Sequence, residues 1–197
     1  IAERPELDLS PAAELPHSVI LLPRAELDEA VASLTTDEAL HWYWRQLFHA
    51  RVHIVLEEQL AARQLEEAEI EARLQALGAG AFAEVCHVLV KDDLLPQTYS
   101  QATAYVEFVA VALELKWFAP SERELVFPAI DDWEAVDDLL GRDVPHEALY
   151  LRTRPPGAPD KLRKSLEPSF SDGEIPVYDE PRSVGASSPR SLRLSSQ

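Results

Sequence analysis

Apolar residues return along this chain at helical rather than strand spacing. In "AFAEVCHVLVKDD" the apolar face is Phe82, Val85, Cys86 and Leu89. In "EEAEIEARLQAL" it is Ile70, Leu74 and Leu77, and in "DDWEAVDDLLGRD" it is Trp133, Val136, Leu139 and Leu140. Steps of three and four residues gather side chains on one side of a helix, whereas a half-buried strand alternates at every second residue. "AELDEAVASL" repeats the helical pattern through Leu27, Ala30, Val31 and Leu34.

Punctuation between these faces sets the elements. Thr35 or Thr36 is a natural N-cap, with Asp37 and Glu38 in the first turn, where the helix dipole favours acids. The helix that starts there is predicted to run unbroken to about Leu65, a length of roughly 40 Å. Gly78 and Gly80 stop the helix that follows, and Pro96 marks a turn. Ser100 caps "SQATAYVEFVAVALELKWFAP", which must end before Pro120. "SERELVFPAI" is a short helical piece, "DDWEAVDDLLGRD" is capped by Asp131 and closed by Gly141, and "PHEALYLRT" adds a last short helix. "SVILLPR" is either a strand or a packed extended arm, because periodicity alone does not separate the two.

The prediction is an all-α fold: an irregular bundle of about six helices spanning residues 18–151. Residues 1–17, with Pro5, Pro11 and Pro16 and little periodicity, form an irregular lead-in. Residues 152–197 are rich in Pro, Ser and Arg and poor in large apolar residues, so a disordered tail is expected there.

Two helices depart from simple amphipathicity. In "HWYWRQLFHARVHIVLEE", residues 41–58, apolar side chains cover most of the circumference, which predicts a central helix covered on two sides. Arg45, His49, His53 and Glu57 nevertheless recur at every fourth residue as one polar stripe. The fifth helix is also apolar nearly all round, yet Thr103, Glu107 and Glu114 share a narrow strip. A carboxylate on a buried helix must be paired, reach solvent or be held protonated. The two stripes would satisfy one another if they faced each other, and each could also reach solvent separately. Three arrangements meet the requirement: a wet face, a network of ion pairs and hydrogen bonds, or a metal site. In the last, His49 and His53 join Glu107 or Glu114 as ligands to zinc or iron, since His at this helical spacing presents two imidazoles to one ion. Trp42, Tyr43, Trp44 and Phe48, with Trp117, Phe118 and Trp133, read as core.

Charge narrows the partners. The 197 residues carry a formal net charge of −17. From Arg152 onward there are 8 basic and 6 acidic residues, which leaves 10 basic and 29 acidic for residues 1–151. A body this acidic repels nucleic acid and anionic lipid, so neither is expected as a partner. A protein partner with basic character fits better. No apolar run approaches the roughly 18–20 residues that a membrane span requires. Cys86, the only cysteine, lies on an apolar face and reads as a small core residue. One cysteine allows neither an internal disulfide nor a cysteine-based zinc cluster, and it suits a cytoplasmic setting. The sequence contains no Met, which suggests a segment of a larger protein.

Motifs with specific chemistry fail on inspection. "HARVH" has the outline of the H-E-x-x-H zinc-protease signature, but Ala50 occupies the general-base position and cannot take a proton. Glu84 and His87 supply one Glu-x-x-His spacing, where a di-iron bundle needs two. The acids of "DDWEAVDDLLGRD" lack the alternation, glycine and final Glu of a calcium loop. There is no G-x-S-x-G, G-x-G-x-x-G or P-loop. What remains is a non-catalytic acidic helical interaction or regulatory domain. The alternative is a metal-dependent hydrolase or oxidoreductase centred on His49, His53 and a carboxylate of the fifth helix.

Overall fold

Thr35 starts the longest helix by a reciprocal cap. Its hydroxyl accepts from the Glu38 N–H at 3.4 Å, while the Glu38 carboxylate accepts from the Thr35 N–H at 2.8 Å. Two of the helix's orphan donors are satisfied in this way. The computed structural model describes residues 19, 20, 22 and 29–160, and every regular element among them is helical. The elements are α1 (Glu29–Ala32), α2 (Thr36–Ala61), α3 (Glu67–Leu77), α4 (Ala79–Lys91), α5 (Gln101–Phe118), α6 (Arg123–Val126), α7 (Trp133–Asp143) and α8 (His146–Thr153). One 3₁₀ turn, Pro120–Glu122, leads into α6. The expected lead-in and most of the expected tail lie outside the described residues.

Four helix ends depart from the sequence reading. The α2 helix stops at Ala61 instead of running to about Leu65. Arg63 adopts a left-handed conformation (φ 54°), Gln64 N–H bonds back to Gln59 C=O, and Arg63 N–H bonds to Leu60 C=O. This is a Schellman closure with arginine where glycine is usual. The α4 helix ends in the same way at Asp93 (φ 58°), with Leu94 bonded to Leu89 and Asp93 to Val90. Each closure turns the chain so that a nearby leucine, Leu65 or Leu95, is buried. At α7 the cap is Asp132, which accepts from Ala135 N–H at 2.9 Å, and not Asp131. Gly141 sits inside that helix rather than closing it.

The central helix is α5. Of residues 104–115, all but Glu107 are buried, and α2, α3 and α4 pack around it. The α2 helix buries one stripe only, Trp44, Phe48, Val52 and Leu56, so it covers α5 from one side and meets α8 along the same seam. No single helix among the described residues is long and apolar enough to cross a membrane.

Two polar and aromatic knots fix the packing. Asp143, at the end of α7, accepts from Tyr105 of α5 at 2.5 Å and from both Nε and Nη2 of Arg73 of α3, at 3.2 and 3.0 Å. Its backbone carbonyl accepts from Gln59 of α2 at 2.7 Å. Burial first, and then the Asp143 carboxylate, push the Tyr105 phenol far above its ordinary value, so it stays a donor. On the other side of the core, Tyr150 of α8 is stacked between Trp44 and Trp117, with centroid distances of 4.4 and 4.3 Å. The Trp44 indole N–H reaches the Tyr150 carbonyl at 3.0 Å.

Packing continues past the expected boundary at residue 151. The Arg154 guanidinium lies over the Trp44 ring at 5.1 Å, its Nε donates to the Ala158 carbonyl at 3.1 Å, and Ala158 is buried. These contacts place 152–160 with the helical body, although their composition resembles that of the tail.

His146 opens α8 and makes stability depend on pH. Lys116 Nζ lies 3.5 Å from its Nε2, and the Trp117 indole N–H faces its Nδ1 at 3.3 Å. A neutral imidazole accepts at one nitrogen, and a protonated one at neither. Burial first and then the Lys116 charge hold its pKa below the ordinary 6.5, against the opposing pull of Asp137 and Glu147. The folded state therefore binds fewer protons than the unfolded state just below pH 6.5, so this contribution is complete above that value and shrinks as pH falls through the folded pKa. His146→Gln should flatten the fall in melting temperature between about pH 7 and pH 5. Thermal melts followed by circular dichroism measure the slope, and equal slopes for the two proteins would exclude His146 as the titrating group.

Candidate metal centre

Each residue of the polar stripe on α2 follows directly after a buried one. Arg45, His49, His53 and Glu57 succeed Trp44, Phe48, Val52 and Leu56, so a helical rotation of about 100° sets the polar stripe along the edge of the buried stripe. On α5, Glu107 and Glu114 are two turns apart on one face. The two helices run antiparallel at this seam, as the pairings require: Arg45 with Glu114, His49 with both acids, and His53 with Glu107.

The two carboxylates have different tasks. Glu114 is buried and receives Arg45 Nε on Oε1 and His49 Nδ1 on Oε2, the latter at 2.6 Å. Burial raises the Glu114 pKa, but the hydrogen bond and charge of His49 together with Arg45 outweigh it, and the carboxyl is held below its ordinary value. Glu114 is therefore a carboxylate, and its partner His49 Nδ1 carries the proton. When the His49 ring is neutral with its proton on Nδ1, the Nε2 lone pair is directed away from Glu114. His53 Nε2 lies 3.1 Å from it, and Glu107 offers Oε2 at 3.2 Å from His53 Nε2 and Oε1 at 3.7 Å from His49 Nε2. At 3.1 Å the two ring nitrogens are joined by a hydrogen bond if either carries a proton, and by a cation if neither does.

The three donors match a metal ion in size. Ligands arranged tetrahedrally at 2.0–2.1 Å from zinc are about 3.3 Å apart. The two imidazole nitrogens, 3.1 Å apart, are near that value, while the Glu107 carboxylate meets them with different oxygens, Oε2 at 3.2 Å from His53 and Oε1 at 3.7 Å from His49. Taking one atom from each residue, the donors all lie within 4.8 Å of one another. The side chains of His49 and His53 are 23% and 24% exposed and that of Glu107 is 13% exposed, so the cluster is shielded but open on one side. Charge points the same way. Arg45 balances Glu114, whereas Glu107 faces only imidazoles, so with neutral rings the cluster is one negative charge in excess.

Of the six polar residues singled out from the sequence, Arg45, His49, His53, Glu107 and Glu114 meet in one cluster. Glu57, one turn beyond His53, is half-buried and makes no ion pair or hydrogen bond among the described residues. Sequence phasing did not reveal that Glu114 grips the outer nitrogen of His49 while Glu107 meets the inner donors. The buried node of Gln59, Arg73, Tyr105 and Asp143 also went unread, because each helix supplies only one polar residue to it. Cys86 is buried beside Tyr99, burial raising its thiol pKa, and takes no part in the cluster. The chain matches no protein-family model, no curated protein and no solved structure.

Proposed function

We propose that this is a non-catalytic helical domain that binds one divalent transition-metal ion between α2 and α5. His49 Nε2, His53 Nε2 and one Glu107 oxygen are the ligands. The observation that carries this reading is the convergence of two imidazole nitrogens and a carboxylate, whose donor atoms all lie within 4.8 Å of one another, with the far nitrogen of His49 already held by a second carboxylate. A metal-bound histidine almost always donates its other N–H in this way, which fixes its tautomer and raises its basicity. Two imidazoles and one carboxylate suit zinc or iron(II) and leave a coordination position open. Both acids of the cluster are committed, Glu107 to the ion and Glu114 to His49 and Arg45, so neither is free to serve as base toward a metal-bound water. Binding, rather than hydrolysis, is the function this supports.

The test is calorimetric titration of the chelator-treated chain with zinc chloride. One ion per chain is expected, with saturable binding lost in the His49→Ala/His53→Ala double variant while its helical circular dichroism is unchanged. Wild-type protein that takes up no zinc, or a double variant that binds as tightly as wild type, would overturn the assignment.

A further inference from the structure

A second feature, remote from the metal cluster in chemistry, lies on the seam between α2 and α8. A concavity of about 350 Å³, open to solvent, is lined by Ile20, Leu47, Arg51, Leu149, Arg152 and Thr153. Leu149 is buried at its floor, Leu47 forms one wall one turn before Arg51, and Ile20 of the N-terminal arm forms another, with Val19 and Leu22 exposed beside it. The volume falls within the range of about 300–1,000 Å³ typical of binding clefts.

The charges are the unexpected part. In this acidic body, Arg45, Arg73, Lys116, Arg123 and Arg154 each sit on a carboxylate. Arg51 and Arg152 are both exposed, and neither has an ion-pair or hydrogen-bond partner among the described residues. Arg63, Lys91 and Arg142 are likewise exposed and without such a partner among the described residues, but Arg51 and Arg152 are two such cations that line one small apolar groove together. Arginine presents a rigid fork that matches a carboxylate, and its stem also covers apolar surface. At physiological salt the Debye length is about 8 Å, so a ligand seated in the groove responds to these two cations more than to the acids elsewhere on the surface.

We infer that the α2–α8 groove docks a segment of a partner protein that places an apolar side chain against Leu47 and Leu149 and an adjacent carboxylate on Arg51 and Arg152. The acidic body as a whole favours a basic partner, but at this spot the complementary charge is negative. An open groove with an apolar floor and a charged rim is the usual form of a short-segment binding site, where the anchor gives affinity and the rim gives register.

The experiment is an NMR titration of the ¹⁵N-labelled full chain with the blocked tetrapeptide acetyl-Leu-Glu-Leu-Glu-amide. Shift changes confined to Leu47, Arg51, Leu149, Arg152 and their neighbours are expected. The Gln-for-Glu peptide should bind at least tenfold more weakly, and Arg51→Ala/Arg152→Ala should erase the difference between the two peptides. Both arginines are exposed, so this variant folds as wild type does. No shifts at millimolar peptide, shifts centred elsewhere, or equal affinity for the neutral peptide would overturn the inference. Decanoate shifting these residues when the peptide does not would make the groove a site for amphiphilic acids and would overturn the partner reading too.

Discussion

Asp143→Ala should cost about 3 kcal/mol of stability, the lower end of what is lost when one partner of a buried ion pair is removed. At about 2–4 °C per kcal/mol for a chain of this size, the melting temperature should fall by about 6–12 °C. The low end is chosen because Arg73, whose side chain is 19% exposed, can turn to water, whereas Tyr105 is fully buried and its hydroxyl is left without an acceptor. Tyr105→Phe, which removes the donor and keeps the ring, should cost only about 1 kcal/mol. The double variant should cost less than the sum of the two, because the phenol no longer needs Asp143 once it is gone. Asp160→Ala is the control: it breaks an ion pair of similar distance to Arg154, but the Asp160 side chain is 82% exposed and the change should be near zero. Denaturant melts of the four variants decide the matter. If Asp143→Ala were no worse than Asp160→Ala, the node would be ornamental to the fold.

That node also shows where sequence reading stops. Helix identities, order and most boundaries were legible because apolar faces at helical spacing and caps such as Ser100 are local signals. The ends of α2 and α4 were not, because arginine and aspartate hold the left-handed positions that glycine usually marks. The two-sided cover expected for residues 41–58 is not met, for a reason that also lies outside any local window. Residues 41–58 look apolar all round, but Trp42, Tyr43, Leu47, Ile54 and Val55 are only half-buried, and only the stripe from Trp44 to Leu56 is fully covered. The α5 helix, whose circumference is as apolar and whose residues are smaller, takes the centre because six buried alanines and valines let three neighbours approach it. Which of two apolar helices lies inside depends on what packs against them, and no window along the chain contains that.

The site was legible to a different depth. Period-four spacing on α2 and the two-turn interval between Glu107 and Glu114 dictate two stripes, and the cost of burying carboxylates argues that the stripes meet. Which acid meets which histidine depends on the axial offset of two antiparallel helices, a quantity set by Trp44, Phe48, Val52 and Leu56 packing on α5. One helical turn of slip, about 5.4 Å, would exchange Glu107 for Glu114 as the ligand. The Asp143 node was harder still, since its members are separated by up to 84 positions in sequence and each helix contributes a single one of them.

Glu114→Gln separates a structural from a positioning role at the metal cluster. Zinc at about 100 times its Kd should stabilise the wild-type chain by about 2.7 kcal/mol, because the ion binds the folded state and not the scattered donors of the unfolded one. At about 2–4 °C per kcal/mol this is a rise of about 5–11 °C in melting temperature. Glutamine retains an acceptor for His49 Nδ1–H but removes the charge that makes the opposite nitrogen a strong donor, and it leaves Arg45 without its counter-ion. Loss of such an outer partner lowers metal affinity by about 10- to 100-fold, or about 1.4–2.7 kcal/mol. At the same zinc concentration the variant should therefore lose about half or more of the zinc-dependent rise, whatever happens to its metal-free melting temperature. If Glu114 served only to hold α2 against α5, the metal-free protein would melt lower and the increment on adding zinc would be unchanged. An undiminished increment would thus leave His49, His53 and Glu107 as ligands and remove Glu114 from the site.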